Sequence, residues 1–238
     1  MTRSIERLVE EQIGRWQEKQ RAEPVVSGAC VAFSHLPGAS GSELARRVAE
    51  RLGYGFFDRE LVEAIAKDAG TQERLVADLD GHVRGLIERY VVDFFRSRRF
   101  AESDYLASVV RVVGTLARRG RAVLLGRGSA IVLGSHEALR VLVVASREIR
   151  VDRIAQERGL DRAAAAASLE REEADRAGFF RHHFGVRQDD PALYDLVVNT
   201  GTMSIDLGAA VVVEALAGQF PGSTGAAEKR GGVPEARS

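Results

Sequence analysis

One cysteine, Cys30, stands in the whole chain, so no internal disulfide can form and no thiolate zinc centre can be built. It falls in an apolar stretch, where the simplest role is a buried, inert thiol. Lysine is nearly absent. It stands only at Lys19, Lys67 and Lys229, so almost all of the 34 basic residues are arginine. The charges of both signs balance to a formal net charge of zero. No global basic field therefore points to a nucleic-acid partner. No apolar run approaches the roughly 20 residues that span a bilayer, so no membrane association is expected. The opening stretch "MTRSIERLVEEQIGRWQEKQ" is charged throughout, unlike a secretion signal. The expected location is cytoplasmic.

What is present is a soluble composition, 45% hydrophobic and 29% charged over 238 residues, enough for one substantial α/β domain. Ile5, Leu8, Val9, Gln12, Ile13 and Trp16 recur at helical spacing and predict an amphipathic helix in residues 1–23. Its apolar stripe needs a partner, either the main domain or a second copy of the chain in a homodimer. "VVSGACVAF" reads as a buried strand, and "AVLLG" and "LRVLVVAS" as two more, rich in Val and Leu like central parallel strands. "YGFFD" and "YDLVVNT" read as shorter ones. Between Arg59 and Arg119 the pattern is helical. Helices also follow "LRVLVVAS" and close the chain at "SIDLGAAVVVEALAG". The adjacent His182 and His183 point to different helix faces and predict no shared ion, while the Phe94/Phe95 and Phe179/Phe180 pairs read as core. From residue 219 to 238 turn formers dominate without periodicity, and the tail is expected to be disordered. Alternating strands and helices predict an α/β fold of three layers with an open parallel sheet.

The first strand runs into "HLPGASGS" and then an amphipathic helix ending at Gly53. A strand, a small-residue turn and a helix N-terminus are the parts of a phosphate-binding loop, whose backbone amides converge on an anion. The full pattern G-x-x-x-x-G-K-[ST] adds a lysine and a hydroxyl for magnesium. In that register His35 and Ser40 stand at the two glycine positions, Gly41 at the lysine and Ser42 at the hydroxyl. Read alone, the turn serves equally as a plain strand-to-helix connection.

Five segments in order carry a resemblance. "FSHLPGASGSELARRVAERLG", "FFDREL", "AVLLGRGSAIVL", "REEADR" and "YDLVVNTGTMSID" are similar to successive motifs of the cytidylate kinase-like family, within the P-loop nucleoside-monophosphate kinases. The likeness spans about residues 25–217. It implies a P-loop NTPase fold over 24–218, with a helical insert at about 59–120 and a lid at about 150–185. It implies transfer of the ATP γ-phosphoryl group to CMP or a related monophosphate, with Mg2+. On this resemblance Gly38, Ala39, Ser40, Gly41 and Ser42 would bind the donor phosphates, and Ser42 the metal. Asp58, Arg127 and Asp175 would bind the acceptor, and Arg153, Arg171 and Arg176 would act as catalytic cations. Arg150 and Arg153 match the arginines that begin the lid.

The chain also departs from the full kinase pattern. Gly41 takes the lysine position, as is common in relatives of the kinase-like family, Ser42 stands where those relatives often have arginine, and "GRG" replaces the kinase's "GRD" at Gly128, removing a carboxylate beside the acceptor. A lid arginine or Arg153 would have to replace the lysine's charge. These losses leave open a catalytically weak or inactive nucleotide-binding protein on the same fold, acting as a sensor or interaction module. They also leave open an assembly module that binds no nucleotide.

Overall fold

Runs of β-branched and leucine residues without charge make the central strands, and helices flank them on both faces. A computed structural model describes residues 5–22, 30–77, 79, 81–98 and 103–223. The chain opens with α1 (Ile5–Ala22), β1 (Cys30–His35), α2 (Gly41–Leu52) and the short β2 (Gly55–Phe57). A run of helices follows: α3 (Arg59–Lys67), α4 (Ala69–Val76), α5 (Gly81–Arg98) and α6 (Asp104–Arg119). Then come β3 (Ala122–Leu125), the single turn α7 (Ser129–Val132), β4 (Ala138–Val144), α8 (Arg147–Arg158) and α9 (Arg162–Phe184). β5 (Leu196–Asn199) and α10 (Ile205–Gln219) close the domain.

The sheet has the order β2-β3-β1-β4-β5, every pairing parallel. Successive strand residues point to opposite faces, and the core divides accordingly. Cys30, Ala32, Leu124 and Leu142 pack with α1, α3, α6 and α7 on one face. Val31, Phe33, Val123, Leu125 and Val141 pack with α2 and α10 on the other. The three-layer α/β architecture read from the sequence is the one observed. β1 sits where the strand order reverses, and every strand's carboxyl end faces the same edge. Ligands of open α/β sheets bind at that edge.

Three readings need adjustment. The first strand begins at Cys30 among the described residues, and the expected residues 25–29 lie outside them. α10 runs to Gln219, and Tyr54 donates its hydroxyl to Ser223 O at 2.6 Å, so the first residues of the expected tail are ordered. Residues 224–238 lie outside the described set. The stripe of α1 packs on its own domain. Val9, Ile13 and Trp16 are buried, Gln12 Nε2 donates to Phe56 O at 3.1 Å, and Trp16 Nε1 donates to Arg121 O at 3.1 Å. The described part of the apolar stripe is thus used within one chain, and the side chains of residues 5 and 8 lie outside the described set. No described helix is long and apolar enough to cross a membrane.

Trp16 stands edge-on to Phe57 with centroids 5.3 Å apart, and Gly55 lacks a side chain where one would meet the indole. Trp16→Ala should therefore lower stability by about 3–5 kcal/mol through the cavity it leaves. Chemical denaturation followed by circular dichroism measures it. A loss near zero would mean that α1 does not pack in solution as described.

Candidate functional site

A cleft of about 650 Å³ opens at the carboxyl edge of the sheet. His35 and Ser42 line it from the β1–α2 loop, and Asp58, Arg59 and Glu60 from the end of β2. Gly126 and Arg127 line it from the end of β3, and Asp175, Arg176, Phe179 and Phe180 from α9.

The loop owes its shape to two left-handed residues, Gly38 (φ 72°) and Ser40 (φ 51°). Glycine takes that conformation freely, whereas serine is held there at a cost of roughly 1 kcal/mol. Left-handed residues followed by right-handed helix gather successive amides into an anion-sized concavity. Ala39 donates its amide to Leu36 O. The amides of Gly38, Ser40, Gly41 and Ser42 find no acceptor among the described residues. This suits a polyphosphate. Behind the loop, Arg150 is buried and donates to Ala145 O (3.0 Å), Pro37 O (3.3 Å) and Glu173 (2.6 Å). Gly38 presses on the backbone of Arg150, where a Cβ would come within 2.8 Å of its carbonyl.

The residues expected to act together divide. Gly38 to Ser42 form the loop, and Asp58, Arg127, Asp175 and Arg176 all reach the cleft. Arg153 and Arg171 do not line it. Arg153 donates to Thr200 Oγ1 (3.0 Å) and Thr200 O (2.7 Å), while Thr200 donates to Ala39 O at 2.9 Å. It thus braces the back of the loop from α8. Arg171 lies five residues before Arg176, roughly 140° round the helix, and faces solvent. Asp58 caps α3 by accepting Leu61 N–H at 2.9 Å.

Arg127 takes a left-handed backbone (φ 51°), pairs with Glu63, and lies 5.5 Å from the Phe179 ring centroid. Its Nε is buried without a partner. Glu63 is held below the usual carboxylate range by Lys67 first and by Arg127. Arg176 donates from Nη1 to His35 O at 2.7 Å and lies 3.3 Å from His35 Nε2. Burial, opposed by Glu172 and aided by Arg59, pushes its pKa below the usual value.

Sequence motifs did not single out Phe179, Gln188 or the His35 ring as cleft residues. Phe179, expected in the core, packs half-buried against it and also carries Arg127 on its face. Gln188 Nε2 donates to Ser34 Oγ (2.8 Å) and His35 O (3.0 Å) from far along the chain. Only the histidine at a glycine position was a visible signal.

Magnesium riding on phosphates takes one or two protein oxygens rather than an all-protein cage. Among the described residues no cluster of His, Cys, Asp and Glu could hold a metal by itself. The exposed Ser42 hydroxyl, at the first turn of α2 and on the cleft wall, fits the lighter requirement.

The glycine of "GRG" has a steric cause. Gly128 sits at φ 70°, and a Cβ there would come within 2.2 Å of the Phe184 ring. Gly128→Asp should therefore not restore an acceptor carboxylate. It should instead cost on the order of 3 kcal/mol, from left-handed strain and overpacking together. Thermal unfolding reads this, and a variant as stable as the parent would show that Phe184 gives way.

Residues 30–202 match the model of the cytidylate kinase-like family. A cytidylate kinase of Methanoculleus marisnigri is 32% identical over 124 residues, covering 50% of this chain and 67% of that protein. One from Methanopyrus kandleri is 24% identical over 186 residues, covering 74% of this chain and 86% of that protein. An uncharacterized protein from Eubacterium ventriosum shares the fold. Its crystal structure superposes with a TM-score of 0.63 at 14% identity, covering 80% of this chain and 98% of that one. With most of its length matched in this way, and with the open parallel sheet of a P-loop kinase, the chain belongs to the cytidylate kinase-like family.

Proposed function

We propose that this chain is a nucleoside-monophosphate kinase that transfers the γ-phosphoryl group of ATP to CMP or a related monophosphate. The observation that carries the reading is a loop with unspent amides whose two ends, His35 and Ser42, stand on the wall of the cleft that Arg127 and Arg176 also line. The donor phosphates lie on the amides of Gly38, Ser40, Gly41 and Ser42, at the positive end of α2. Magnesium, where bound, would be held by Ser42 together with the phosphates and would supply charge neutralisation. Arg127 takes the acceptor phosphate with its planar fork, exchanging Glu63 for a doubly charged ligand. Asp58 and Asp175 flank the acceptor. An oxygen of the acceptor phosphate attacks the γ-phosphorus in line as the bond to the β-phosphate oxygen breaks, giving two diphosphates. Such transfer rests on positioning and charge more than on covalent chemistry. Arg176 is the lid cation nearest the donor, Arg153 supports the loop through Thr200, and Arg171 stands outside the cleft.

One observation favours a second reading, nucleotide binding with little or no turnover. The lysine position is a glycine, and both Arg127 and Arg176 are engaged by protein acceptors.

Purified protein with ATP and Mg2+ should convert at least one of CMP, dCMP, UMP, AMP and GMP to its diphosphate. Arg127→Ala should cut kcat/KM by about a hundredfold or more, much of it in the acceptor KM. Failure of every acceptor, with ATP still raising the melting temperature, would instead select the binding protein.

A further inference from the structure

We propose that His35 is a positioning residue that carries the Arg176 guanidinium to the phosphate loop, where it supplies the donor-phosphate charge of the absent lysine. This rests on the nucleotide-binding reading above and assigns the cation that reading lacks.

The histidine at the first loop position and the glycine at the seventh are one exchange rather than two losses. A Cβ built on Gly41 would stand 2.3 Å from His35 Cβ and 2.5 Å from its Cγ. Those atoms belong to the base of the side chain and cannot swing aside. A side chain at position 41 therefore requires none at position 35, and the reverse. The common loop has glycine first and lysine seventh. Here the order is inverted, and the imidazole fills the space.

Its ring is oriented for an acceptor's role. Nδ1 lies 3.2 Å from Leu36 O, which assigns the proton to Nδ1 and turns the Nε2 lone pair toward Arg176. Burial, with Arg176 nearby, drives the imidazole pKa down to about 3, so the ring is neutral and accepts from the arginine. Gln188 shares the carbonyl of His35 with Arg176 and fixes the strand end. Arg59 lines the cleft from the start of α3 and makes no bond to the loop, and the cations behind the loop are committed elsewhere. Arg153 is spent on Thr200, and Arg150 on Pro37, Ala145 and Glu173. Among the described residues, Arg176 is the cation that both lines the cleft and bonds to the loop. A guanidinium has five donors. With Nη1 on His35, the rest of the fork can turn to phosphate oxygens.

The test measures binding of ATP, inorganic tripolyphosphate and adenosine by calorimetry to the full chain. His35→Ala and Arg176→Ala should each weaken ATP and tripolyphosphate about tenfold or more, leaving adenosine unchanged. His35→Gln, which keeps an acceptor within reach, should recover part of the loss. A merely structural role would weaken all three ligands alike. Gly41→Lys alone should destabilise the loop, whereas His35→Gly combined with Gly41→Lys should fold and bind ATP near the parent level. In that double variant Arg176→Ala should lose most of its effect. If the parent binds ATP and tripolyphosphate while His35→Ala and Arg176→Ala bind them equally well, this assignment alone is wrong. If the parent binds neither, the nucleotide reading falls and takes this one with it.

Discussion

Most backbone carbonyls between His35 and Ser40 are taken up by the protein, while four amides, those of Gly38, Ser40, Gly41 and Ser42, are left for something else. His35 O accepts from Arg176 and Gln188, Leu36 O from Ala39, Pro37 O from Arg150, Ala39 O from Thr200, and Ser40 O from Leu44. With His35, Pro37 and Ala39 anchored from behind, those peptide planes cannot rotate freely, which holds the neighbouring amides in place. The anchors come from α8, α9, the segment before β5 and the end of β5. Helix packing far along the chain thus fixes a concavity built from backbone.

The Arg127 side of the cleft depends on a different constraint, crowding by aromatic side chains. Phe180 and Phe184 are buried beneath α9, while Phe179 turns its face to Arg127. Phe184 occupies the space that a side chain at position 128 would need. The aromatic cluster therefore decides both the loss of a carboxylate after Arg127 and the surroundings of Arg127 itself. With Glu63 as its resting partner, Arg127 is paired and oriented in a half-dry wall. A buried cation without that partner would cost several kcal/mol.

The sheet was legible because parallel central strands are written locally, as uncharged Val- and Leu-rich runs such as "LRVLVVAS". The loop was legible because its glycines and small residues are contiguous. Asp58 and Arg127 came with the resemblance, and the structure places both just after strand ends on the cleft wall. The long-range partners were not legible in this way. Nothing near residue 188 or 179 signals a cleft, because each reaches it only when α9 and the segment after it fold back on β1. Arg153 shows the converse. Its place in an aligned segment suggested substrate contact, but the face of α8 on which it lies looks toward Thr200 and the back of the loop. Motif order reports which elements exist. The azimuth of a side chain on its helix is set by tertiary packing.

A lysine on the loop is present in every state of the loop, since it is part of the same turn. An arginine on α9 is present only while α9 packs as it does here. That packing rests on Arg150 with Glu173, on the small apolar contact of Val151, Ile154, Ala165 and Leu169, and on the phenylalanines at the helix end. Whatever loosens α9 removes positive charge from the loop at the same time as it opens the cleft. By linkage, an anion on the loop that draws on Arg176 must favour the packed α9 by the same free energy. On the proposed assignment, a cation carried by the helix rather than the loop would make anion binding and helix position one equilibrium, whereas a loop lysine would leave them separate.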